Sequence, residues 1–144
     1  MSGSLYERDF YAWANEQAAL IRAGNLAAVD LEHIAEEIES MGKGEKRELL
    51  SRLTVLLLHL LKWRFQPGKR GSSWETSIRV QRNALARHFQ DNPSLRPHAP
   101  KAVAEAYVDA VLEAADETGV PKANFPIACP WSIDQLMDAD YWPE

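Results

Sequence analysis

Apolar positions recur along this chain at alternating spacings of three and four residues, the pattern of helices that turn one face to a core. The pattern is densest over Leu49–Phe65, LLSRLTVLLLHLLKWRF. Leu49, Leu53, Leu56, Leu60 and Trp63 form one stripe, Leu50, Leu57 and Leu61 a second, and Leu58 widens it. A helix apolar over most of its circumference is wrapped by others. The pattern therefore predicts an all-α, single-domain bundle of about five main helices around a central helix at about 45–65, with residues 1–144 as one domain. The run is shorter than the roughly 20 apolar residues a membrane crossing needs. One line of this helix is polar: Glu48, Arg52, His59, Lys62 and Gln66, with Val55 among them. That line faces either water or a buried polar cluster.

The remaining elements follow in order. Tyr6 to Ala23 reads as an amphipathic helix, with Tyr6, Phe10, Trp13, Gln17 and Leu20 on one face, Ser4 as N-cap with Glu7 three residues on, and Gly24 as the stop. Asp30 caps a second helix, Leu31 to Met41, whose expected buried face is Leu31, Ile34, Ala35, Ile38 and Met41. Gly42 and Gly44 are expected to break it before the central helix begins near Glu45. The central helix fails at Pro67-Gly68. Ser72 to Asp91 is a fourth helix, with Ser72 and Glu75 matching a capping box, Glu75 placed to pair with Arg79, and Trp74, Ile78, Gln81, Leu85 and Phe89 or His88 facing inward. Pro100 to Thr118 is a fifth, ending at Gly119, with Val103, Tyr107, Ala110, Val111 and Ala114 inside. The tail predicts one short helix from Ser132 through Met137. The rest lies extended, anchored by Phe125, Trp131, Tyr141 and Trp142.

Charge changes this picture more than composition does. The 144 residues carry a net charge of −5, but residues 1–41 hold eight acids against two bases, 42–98 four against twelve, and 99–144 nine against two. Either the acidic flanks neutralise the basic middle within the fold, or a basic face is offered to an anion or acidic partner. A single cysteine, Cys129, excludes an internal disulfide and a cysteine-based zinc site, and suits a reducing cytosol. The opening residues lack a basic start followed by an apolar run, so no secretory signal is expected.

Several stretches are similar to a known family. They are Tyr6-Glu7-Arg8-Asp9-Phe10-Tyr11-Ala12-Trp13, Asp30-Leu31 with Glu36-Glu37-Ile38-Glu39-Ser40-Met41-Gly42, and His59-Leu60-Leu61-Lys62-Trp63 with Gln66-Pro67. Ser73-Trp74, Ile78, Arg82, Pro93-Ser94-Leu95 and Glu117-Thr118-Gly119 follow in register. Over nearly its whole length the chain resembles the bacterial family catalogued as domain of unknown function twenty-nine. The resemblance implies a helical fold and no activity.

Candidate chemistry centres on a polar cluster of Glu36 or Glu37 with His59 and Lys62, on the expectation that two antiparallel helices bring carboxylates against an imidazole. Such a set could hold a divalent metal, with Glu37 and His59 as ligands, or perform acid–base work. The plainer reading is a structural cluster in which Arg79 or Arg82 pairs the glutamates. The Glu-x-x-His repeat of di-iron bundles is absent. His33 and Glu37 have chelating spacing but read as a solvated pair. Lys62, Arg64, Lys69, Arg70, Arg79, Arg82 and Arg87, interleaved with Trp63, Phe65 and Trp74, form a second candidate, for nucleic acid. The pI of about 5.4 argues against it. Cys129-Pro130 reads as an inert small hydrophobe. No phosphate loop, nucleophile elbow or dinucleotide fingerprint occurs. The resulting expectation is a cytosolic helical module that binds a protein partner or a second copy of itself, with no cofactor. A metal-binding or acid–base enzyme is the alternative.

Overall fold

The computed structural model describes residues 4–144, and among these residues every regular element is helical. The α-helices are α1 (Leu5–Arg8), α2 (Phe10–Arg22), α3 (Leu31–Phe65), α4 (Ser72–Asp91), α5 (Ala99–Thr118) and α6 (Ile133–Met137), joined by short 3-10 turns. No described helix is long and apolar enough to cross a membrane. The chain divides into two compact units, Met1–Gly44 and Glu45–Glu144.

The first unit is a hairpin of α1 and α2 against the opening turns of α3. The single helix expected over Tyr6–Ala23 is interrupted at Asp9, whose backbone leaves helical space at φ −152° and whose carboxylate accepts from the Ala12 amide at 3.0 Å. An aspartate that bonds a nearby amide competes with the helical ladder, so it starts a new helix rather than continuing one. Ser4 occupies the N-cap position of α1 without a side-chain bond. Gly24 ends α2 as expected. At φ +76° it takes the left-handed conformation, its amide reaches Ile21 O, and the Asn25 amide reaches Leu20 O. This closes the helix end with two bonds.

The largest departure lies in α3, which runs unbroken for 35 residues. Gly42 and Gly44 do not end it. A glycine stops a helix by entering the left-handed region, and among the described residues only Gly24 and Gly119 have positive φ. In a helical conformation each glycine costs about 1 kcal/mol relative to alanine, too little to divide a helix held on both sides. The expected buried face of the second helix is also not formed. Leu31, Ile38 and Met41 are 68%, 59% and 65% exposed, because α1 and α2 meet α3 through Asp30, His33 and Glu37 instead.

The second unit is built on the leucine-rich part of α3. Leu49, Leu53, Leu56, Leu57, Leu60 and Leu61 have no exposed surface and pack with Ile78, Leu85, Val103, Tyr107, Val111 and Leu136. At such positions truncation of leucine to alanine costs about 2–5 kcal/mol. The helix ends before Pro67 as expected. The boundaries of α4 match those read from the pattern, but Gly71, not Ser72, is the N-cap, and the Ser72–Glu75 capping box does not form. Glu75 pairs with Arg79 at 3.0 Å. Gly119, at φ +75°, ends α5, and Ser132 with Gln135 forms a reciprocal capping box on α6. In the tail, Phe125 and Trp131 are buried, and Tyr141 and Trp142 pack half-buried on the core.

Candidate functional site

The polar groups expected to converge are distributed among separate partners. The turn that would have folded Glu36 and Glu37 back onto His59 and Lys62 is absent, since all four lie on the continuous α3. Glu37 accepts a hydrogen bond from the Tyr6 hydroxyl, and this bond holds the phenol proton, pushing Tyr6 up to about 12. His59 bonds the Val55 carbonyl of its own helix through Nδ1 at 2.8 Å. Lys62 is buried, pairs with Glu117 at 3.3 Å and lies over the Trp74 ring. Arg79 holds Glu75, not a glutamate of α3. Arg82 is buried and donates to the Leu136 and Gln135 carbonyls at the end of α6. Burial lowers its pKa from the ordinary value, and its Nη1 is the one buried side-chain nitrogen or oxygen without a partner among the described residues. The polar line of α3 is thus neither a solvated stripe nor one buried cluster.

Most of the basic set is likewise engaged within the fold. Arg64 lies over Phe65 and Arg70 over Trp63. Arg70 also donates to the Trp63 carbonyl at 2.6 Å and to the Pro143 carbonyl at 3.4 Å. Arg79 and Arg82 face the Trp142 ring. These contacts tie several of the guanidinium groups to carbonyls and ring faces of the fold, while Arg64 and Arg79 stay exposed. Cys129 is half-buried, and burial raises its thiol above the ordinary value.

Two polar clusters do form. In the first unit, Asp30 caps α3 by accepting from the His33 amide at 3.3 Å, and its other oxygen meets His33 Nδ1 at 2.6 Å and Trp13 Nε1 at 3.3 Å. Gln17 accepts from the Asp30 amide at 2.7 Å. The Tyr6 ring stacks on His33 at 3.9 Å. The imidazole hydrogen bond lowers the Asp30 pKa, and the same bond raises that of His33. His33 therefore pairs with Asp30 and not with Glu37.

In the second unit, His88 of α4 reaches across to α3. It is 5% exposed, with Nε2 2.8 Å from the Glu45 carbonyl and Nδ1 2.7 Å from Glu48 Oε2 and 3.6 Å from Glu45 Oε2. The ligand atoms of Glu45, Glu48 and His88 lie within 4.8 Å of one another, and this is the one group of its kind among the described residues that could hold a metal ion. The sequence pattern assigned His88 only to the inner face of α4. Its one local trace is the i,i+3 spacing of Glu45 and Glu48.

Two adjoining apolar hollows of about 500 and 610 Å³ lie between α5 and the tail, sharing Tyr107, Val108 and Ile127. The Tyr107 hydroxyl between them donates to the Pro126 carbonyl at 2.6 Å, and burial pushes its pKa up to about 12. No curated protein and no solved structure matches the chain. The family described as domain of unknown function DUF29 matches over residues 5–142, a span that takes in most of both compact units, and the chain belongs to that family.

Proposed function

We propose that the chain is a protein-binding module that docks a partner through its first unit, the partner being an apolar helix or segment flanked by lysine or arginine. One observation carries this reading. Of the eleven large hydrophobic residues exposed among the described residues, seven (Phe10, Tyr11, Ile21, Leu26, Leu31, Ile38 and Met41) lie within the first 44 positions. Clustered exposed apolar side chains mark interaction surfaces. Here Leu31 and Ile38, two turns apart on α3, sit beside exposed Glu32, Glu36 and Glu39, so charge complementarity selects a basic flank. The lone cysteine supports placing the module in a reducing cytosol.

The test uses a synthetic amphipathic helix with a leucine face and lysine flanks, titrated against the full chain, alongside sedimentation over a hundredfold concentration range. Binding that weakens at least tenfold in the Leu31→Ser, Ile38→Ser double variant and falls with salt is the expected result. A second copy as occupant would instead show as concentration-dependent sedimentation abolished by the same variant. Neither binding nor self-association, or behaviour indifferent to the two substitutions, would overturn the reading.

A further inference from the structure

Between α3 and α4 the structure places a histidine whose chemistry is only half explained by the protein around it. His88 Nε2 lies 2.8 Å from the Glu45 backbone carbonyl. A carbonyl oxygen can only accept, so Nε2 carries the hydrogen and donates it. In the neutral ring, Nδ1 then presents its lone pair. That lone pair faces two carboxylate oxygens, Glu48 Oε2 at 2.7 Å and Glu45 Oε2 at 3.6 Å. A lone pair against two anionic oxygens is repulsive, so the cluster calls for a positive charge at this edge of the ring, supplied either by a second ring proton or by a bound cation.

The surroundings reinforce this arrangement. His88 is almost wholly buried, so its ring cannot turn its Nδ1 edge to water. Its Nε2–H to a carbonyl is the outer bond that metal-ligating histidines use to fix ring orientation and tautomer. Glu48 directs its other oxygen to Arg52 at 3.7 Å, leaving Oε2 to the ring. Asn92 donates to Glu45 Oε2 at 3.4 Å and to the His88 carbonyl at 3.2 Å, holding that carboxylate beside the ring. Both carboxylates are about half exposed, so an ion can enter from solvent along their side.

We propose that Glu45, Glu48 and His88 form a binding site for a divalent cation of the zinc class. The donor set decides the class. One imidazole nitrogen with two carboxylates suits zinc and neighbouring transition metals, whereas magnesium and calcium prefer oxygen alone. Zinc at roughly 2.0–2.2 Å from each ligand in tetrahedral geometry sets ligand atoms about 3.3–3.6 Å apart. The 3.6 Å separation of Nδ1 from Glu45 Oε2 already fits. The 2.7 Å separation from Glu48 Oε2 opens by under an ångström on metal entry, a movement the exposed Glu48 side chain can make. Three protein ligands leave a fourth position for water, and the ion would tie α4 to α3.

The experiment titrates zinc, and magnesium in parallel, into untagged full-length protein by calorimetry. It compares wild type with Glu48→Gln, Glu45→Gln and His88→Gln, and follows the histidine ring nitrogens by long-range ¹H–¹⁵N spectra. Expected are one zinc per chain, no competition by equimolar magnesium, a shift of the His88 Nδ1 signal, and affinity reduced at least tenfold in each variant. A melting temperature raised by a few degrees in saturating zinc accompanies binding. The two glutamine variants at half-exposed glutamates keep the test open should His88→Gln fail to fold. Zinc held with unchanged affinity by Glu48→Gln and Glu45→Gln, or an unmoved His88 Nδ1 signal, would mean that the three side chains form only an interhelical salt bridge, and would overturn the proposal.

Discussion

At Asp30 four interactions meet in one residue: the cap on the His33 amide, the bonds to the His33 and Trp13 rings, and its own amide donated to Gln17. The pH response follows from the opposed shifts of the pair. His33 is raised above its ordinary 6.5, so its contribution is complete below 6.5 and is lost as pH climbs through its elevated value. Asp30 is lowered below its ordinary 3.8, so its contribution is present above 3.8 and is lost as pH falls through its depressed value. The hairpin is therefore tightest between these two ordinary values. An NMR titration of the His33 ring should show a midpoint above 6.5 that returns toward 6.5 in Asp30→Ala, with lower amide protection at the start of α3. A midpoint at or below 6.5 in the intact chain would refute the pairing. The cap was legible, because aspartate before an apolar periodic run is a start signal. The ring contacts were not, because Trp13 and Asp30 belong to different elements. Arg82 was illegible for a related reason: its acceptors are the backbone carbonyls of Leu136 and Gln135, and a carbonyl leaves no trace in residue type.

At the scale of elements, the unbroken α3 gives a direct prediction. An added Cβ at Gly42 would meet nothing within 4 Å, and the residue is helical with negative φ. Gly42→Ala should stabilise α3 by about 0.5–1 kcal/mol, through higher helix propensity and a more restricted unfolded chain. Thermal melting checks the sign, and a destabilised variant would show that the helix breaks there after all. Gly24, Pro67 and Gly119 were read correctly as stops because each coincides with the end of an apolar period. Gly42 and Gly44 were misread because low propensity alone does not terminate a helix that both flanks propagate. The Leu31–Met41 stripe taught a different lesson. Periodicity shows that a helix is amphipathic, and it says nothing about whether the chain supplies a surface to cover the apolar side. The candidate cluster around His59 depended on the misread break. The Glu45–Glu48–His88 cluster escaped because its members are brought together by the pairing of two helices some forty residues apart in sequence.

For the whole molecule, the distribution of the core makes the two units unequal. Among the described residues, every buried hydrophobic residue except Trp13 lies between Leu49 and Leu136, inside the second unit. A fragment of residues 45–144 should therefore fold alone with a cooperative melt, whereas residues 1–44, with so little apolar burial, should not. Circular dichroism of the two fragments measures this. An unfolded 45–144 fragment would show that the hairpin is required for the core. The alternation of acidic, basic and acidic segments, legible from composition, is only partly neutralised internally. Lys62 reaches Glu117 and Arg96 reaches Asp134, while much of the remaining positive charge rests on aromatic faces and carbonyls.

The packing of the C-terminal tail has an optical consequence. Trp142 lies 4.7 Å from Trp63, ring centre to ring centre at a 45° tilt, with the guanidinium groups of Arg79 and Arg82 over its face. Two indoles at that separation and angle couple their electronic transitions, and nearby cations perturb the excited state. The pair should therefore give the folded chain a near-ultraviolet dichroism band. Release of the last few residues would erase that band and shift Trp142 emission to the red while the far-ultraviolet helical signal stays unchanged.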